Sequence, residues 1–94
     1  MVVAQCLVDI RLFGINSLKE KRRVTKSLTT RLRRNFGLSC AEIAAHDTWG
    51  RLVLGMAVVS NQGNHARELL ERAVVWIEDN VDGQVLDYQI DIIS

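Results

Sequence analysis

Aromatic residues are scarce: the 94-residue chain holds two Trp, two Phe and one Tyr. A core must therefore be assembled from Val, Ile, Leu and Ala. Long apolar runs are lacking as well. None approaches the ~20 residues that a membrane-spanning helix requires, so no membrane partner is expected. The opening Met1-Val-Val-Ala-Gln5 lacks the basic start of a secretory signal, and the cytoplasm is the expected location. Cysteine is limited to Cys6 and Cys40, which have no metal-ligand spacing. They read as small buried apolar residues rather than a disulfide. No H-x-E, C-x-x-C or H-E-x-x-H pattern occurs and no glycine-rich phosphate loop, so neither a metal nor a cofactor is expected. His46 and Asp47 are adjacent on a turn, where neighbouring side chains rarely aim at one point. The chain reads as non-enzymatic, with no catalytic residue assigned.

What the chain does have is charge sorted by position. Residues 17–36 carry Lys19, Lys21, Arg22, Arg23, Lys26, Arg31, Arg33 and Arg34 against Glu20 alone, a net +7. The remainder carries a net −6, so the formal total of +1 conceals two opposed parts. Asymmetry of this kind points to partners rather than to fold.

Hydrophobic periodicity supplies the fold. Residues 2–13 alternate, with Cys6, Val8, Ile10 and Leu12 on one face, as a half-buried strand does. After a break at 14–16, Ser17-Leu-Lys-Glu20 has the form of a capping box, in which Ser17 accepts from the Glu20 amide and the Glu20 carboxylate reaches back to the Ser17 amide. Val24, Leu28, Leu32 and Phe36 then form an apolar row. Gly37 stands where a left-handed C-terminal cap is wanted. Residues 38–46 and 49–60 read as strands, the second with Leu52, Leu54, Met56 and Val58 facing one way. A second helix over 64–80 follows, its N-cap expected at Asn61 or Asn64. The last strand, 84–93, sets Leu86, Tyr88, Ile90 and Ile92 against Asp87, Gln89 and Asp91. The order is β-α-β-β-α-β in one domain spanning residues 1–94. Each strand has one consistently apolar face, so both helices must cover the same side of a four-stranded antiparallel sheet. That is an α+β ferredoxin-like sandwich with the first and third strands in the centre.

The words Ser17-Leu-Lys-Glu-Lys-Arg22, Glu42, Asp47-Thr-Trp49 and Leu54-Gly-Met-Ala-Val58 resemble the YlxP-like family of small bacterial proteins, over essentially the whole chain. The resemblance implies a ferredoxin-like fold and no assigned activity. Genes of that family often lie beside those for ribosome-binding factor A and translation initiation factors, which implies proximity to RNA or the ribosome by association.

Three surfaces are candidates for binding. Lys19, Arg22, Arg23, Lys26, Arg33 and Arg34 share the wet side of the first helix, a line of positive charge suited to RNA phosphates or a ribosomal particle. The open sheet face has acids and no aromatic pair at its strand centres, which argues against base stacking there. Lys21 falls on the apolar side of its helix. Either its stem covers the core while its ammonium emerges past the helix end, or it meets a bound anion or a strand carboxylate. Finally, Val53, Ala57 and Val59 lie on the uncovered sheet face and fit a homodimer or another protein–protein contact.

Overall fold

A computed structural model describes residues 1–94. Strand β1 (Val2–Leu12) leads to helix α1 (Leu18–Phe36), strands β2 (Ser39–Ala44) and β3 (Arg51–Ser60), helix α2 (Gly63–Asn80) and strand β4 (Gly83–Ile92). The sheet order is β2-β3-β1-β4, and every neighbouring pair is antiparallel. This is the ferredoxin-like sandwich expected from the periodicity.

Its core forms where the alternating strand faces meet the two helical stripes. Val8, Ile10, Leu52, Leu54, Leu32, Leu70 and Ile77 are wholly buried, and Met56 and Leu28 nearly so. Burying a side chain of this size is worth about 1.5–3 kcal/mol. Thr29 and Lys21 are the buried polar residues.

The helix ends explain why α1 stops and starts where it does. Ser17 accepts from the Glu20 amide at 3.1 Å. The Glu20 carboxylate, however, accepts from the Asn16 amide at 2.7 Å rather than from that of Ser17. The extended backbone at Ser17 (φ −160°, ψ 161°) brings the earlier N–H under the carboxylate. At the other end Gly37 adopts φ 63° and donates its N–H to the Arg33 carbonyl, a left-handed cap that only glycine takes without strain. Helix α2 begins differently from expectation. Its cap is Gln62, which makes no side-chain cap bond, because Asn61 falls before the cap and Asn64 already within the helix.

Strand β4 also departs from simple alternation. Its register against β1 shifts between Asp9 and Ile10, so that Val85, not Leu86, stands opposite Ile10. Val85 packs on the core and Leu86 stays exposed. At the start of the strand, Gly83 passes so close to β1 that an added Cβ would lie 2.1 Å from the Arg11 carbonyl oxygen.

Candidate nucleic-acid interface

The basic helix is fixed in the sandwich along both of its flanks. Towards β2, Arg33 Nη2 donates to the Cys40 carbonyl at 2.7 Å, and the Cys40 thiol donates to the Thr29 carbonyl at 3.5 Å. Towards α2, the Arg31 guanidinium lies 4.8 Å from the centre of the Trp76 ring and donates to Asn80 Oδ1 at 3.1 Å. Trp76 in turn meets Phe36 edge-on, with ring centres 6.1 Å apart. Its helical spacing sets Arg31 apart from the stripe of Lys19, Arg22, Arg23, Lys26, Arg33 and Arg34, but its role depends on Trp76, forty-five positions further along the chain.

Between these flanks Lys19, Arg22, Arg23, Lys26 and Arg34 are exposed. The molecule's two ion pairs are Lys21–Glu42 and Arg51–Asp9, so none of the five is neutralised by a carboxylate. From Lys19 to Arg34 the helix rises ~22 Å at 1.5 Å per residue. Arg33 is exposed too, but its guanidinium is engaged with the backbone of β2 and stands at the stripe's edge.

Lys21 is the exception among the eight bases of this segment. Only 1% of its side chain is accessible, and its ammonium lies 2.9 Å from Glu42 Oε2. It does not emerge past the helix end. It donates to the Ala45 carbonyl, with the His46 carbonyl at 3.5 Å. Glu42 Oε2 is itself buried with no well-directed hydrogen bond, so the ammonium charge is what compensates it. Ala45 sits at φ 61°, an uncommon conformation for a residue with a Cβ. The β2–β3 turn is then closed by the Thr48 amide on the Ala45 carbonyl at 3.1 Å and by His46 Nε2 donating to the Glu42 carbonyl at 3.2 Å. His46 and Asp47 thus belong to a turn.

On the uncovered sheet face, Arg51 grips Asp9 with two hydrogen bonds of 2.9 Å. The Arg51 guanidinium beside it holds the Asp9 carboxyl below the usual carboxylate range. Val53 is half-buried, whereas Ala57 and Val59 are exposed. Ile43, the extra residue of a bulge in β2, folds over Gly55. It helps form a shallow groove of about 360 Å³ with Leu7, Ala41 and Ala57. The groove also reaches Cys6 and Cys40, both free thiols. Burial pushes the Cys6 thiol up to about 11, and the nearby Asp91 charge adds to the shift against an opposing backbone hydrogen bond from Gln89. Burial also raises Cys40, with Arg33 pulling the other way.

The fold and these residues can be set beside known proteins. A family model described as a protein of unknown function, DUF503, matches residues 3–90. The chain belongs to this family. The uncharacterized protein YlxP of Bacillus subtilis (strain 168) is 37% identical over 75 residues, which cover 80% of this chain and 79% of that protein. The YlxP-like relationship read from Ser17–Arg22, Glu42 and Asp47–Trp49 therefore holds. Two designed proteins share the architecture. One, LFR1 1 with a ferredoxin fold, has a TM-score of 0.57 at 12% identity, covering 99% of this chain and 84% of the design. The other, Ferredog-Diesel, has a TM-score of 0.51 at 9% identity, covering 95% and 83%. At such identities the likeness concerns fold alone. No helix of the DUF503 chain is long and apolar enough to cross a membrane.

Proposed function

We propose that this DUF503 protein is a non-enzymatic, cytoplasmic, RNA- or ribosome-associated protein that offers the basic face of α1 to phosphates. The observation that carries the reading is the set of five exposed bases on one helix face without a carboxylate partner. Phosphate contacts require only positive charge in a line. Solubility alone does not call for so many uncompensated bases, since like charges along a helix face destabilise it. The non-enzymatic part rests on thiols whose raised pKa leaves them poor nucleophiles and on a histidine taken up in a turn. Co-sedimentation with ribosomal subunits over a series of salt concentrations tests the proposal. Co-migration at low salt that is lost as salt rises is expected. A protein that stays at the top of the gradient at the lowest salt contradicts it.

A second reading is favoured by the groove on the open sheet face. Leu7 is 45% and Val59 64% exposed beside it, more apolar surface than the polar strand face needs. In this reading Val53, Ala57 and Val59 meet a second copy or another protein. An Ala57→Glu substitution then places an unpaired carboxylate in the contact and disperses the assembly, which sedimentation velocity at high micromolar concentration measures directly. A wild-type monomer under those conditions removes this reading.

A further inference from the structure

The sheet has no aromatic pair at its strand centres, but two exposed aromatic residues flank the point where β1 ends and β3 begins. Within the β1–β3 ladder Arg11 stands opposite Arg51, and the Leu12 amide donates to the Gly50 carbonyl at 2.9 Å just beyond it. Phe13 and Trp49 are the next residues outward on either side of that hydrogen bond, Phe13 just after β1 and Trp49 in the turn before β3. Both are large and apolar, and they are 44% and 49% exposed respectively. Phe13 lies on the open-face side, because the Arg11 guanidinium sits 5.7 Å from its ring centre.

The turn that carries Trp49 is held from behind. Buried Lys21 clamps the carbonyls of Ala45 and His46, and the Thr48 amide closes onto Ala45. This same end of the sandwich is where α1 starts, so Lys19, Arg22 and Arg23 are the bases nearest to it. Its counter-charges are Asp47 in the turn and Asp82, whose carbonyl accepts from the Phe13 amide at 2.9 Å. Farther along the open face, β4 presents Asp87 and Asp91. A polyanion meets acids down the sheet and bases along α1.

Resting on the RNA reading above, we propose that Phe13 and Trp49 form a stacking platform for unpaired bases of single-stranded RNA. The attached phosphates run past Arg11 onto Lys19, Arg22 and Arg23. Flat rings accept any base, and a paired base buried in a duplex cannot reach them. The platform therefore makes the protein selective for single strands, which the basic stripe alone does not.

The test uses a Trp76→Phe background, in which Trp49 is the sole tryptophan. This protein is titrated with a single-stranded oligonucleotide, with a duplex of equal length and with inorganic polyphosphate. Quenching of Trp49 by the single strand but not by polyphosphate is expected, as is weaker binding of the duplex. Trp49→Ala should raise the Kd for the single strand at least about five-fold, the low end of what one stacked base supplies. Trp49→Phe should restore most of the affinity. The Kd for polyphosphate should change little in either variant. If Trp49→Ala folds as wild type and binds the single strand equally well, the platform is overturned while the stripe stands. If wild type binds none of the three probes, the RNA reading fails and the platform with it.

Discussion

At the scale of single residues, the buried Lys21 carries the most structural consequence. A charge in the core is tolerated only when it is paired and hydrogen-bonded, and here Glu42 and two turn carbonyls meet that need. Lys21→Met keeps the stem and removes the ammonium, leaving Glu42 without compensation. We expect a loss of about 3 kcal/mol in chemical denaturation. Adding Glu42→Gln should recover part of it, since the stranded charge is then gone. The Cys6 thiol gives a prediction with a defined sign. Its pKa is raised to about 11 from an ordinary 9.0, so the unfolded chain ionises first as pH rises. The contribution of the neutral thiol is complete below pH 9 and is lost between about 9 and 11. Cys6→Ala should flatten that limb of the stability–pH curve, at the cost of a small cavity.

At the scale of elements, repeating patterns were legible and pair-specific contacts were not. The row Val24, Leu28, Leu32 and Phe36 identified the inward face of α1, because burial on one helix face leaves a helical period, while the Ser17 capping box and Gly37 marked its ends. Leu28→Ala should accordingly cost ~2–5 kcal/mol. The shift in β4 left no such trace: Leu86 and Val85 are both apolar, and only the partner strand decides which one faces inward. Gly83 belongs to the same class. Its role comes from the proximity of Arg11, so Gly83→Ala should unseat the start of β4 and accelerate amide exchange at residues 83–86, although a turn glycine at that place looks replaceable. For the candidate site, charge segregation pointed to an accumulation of bases, and the element that carries them is α1. That segregation could not show that Arg33 is tied to β2, that Arg31 is stacked on Trp76, or that the Leu12–Gly50 hydrogen bond brings the segments of Phe13 and Trp49 together, since each depends on a residue distant in sequence.

At the scale of the whole molecule, the two helices divide the covered side of the sandwich between opposite charges. Helix α1 presents Lys19, Arg22, Arg23, Lys26 and Arg34, whereas α2 exposes Glu68, Glu71, Glu78 and Asp79 against Arg67 and Arg72 and is net acidic. In the proposed function this division orients the protein, attracting a polyanion to one side and repelling it from the other. The central measurement is the salt dependence of single-stranded RNA binding by wild type and by Arg22→Glu/Lys26→Glu/Arg34→Glu. Each phosphate contact contributes ~0.7 to the slope of log affinity against log salt, so losing three should flatten it by about 2. Thermal unfolding should move little, because the three side chains are exposed and surface changes are usually worth less than ~0.5 kcal/mol. A folded triple variant that binds with wild-type affinity and slope contradicts the account and leaves the α1 stripe a solvated surface.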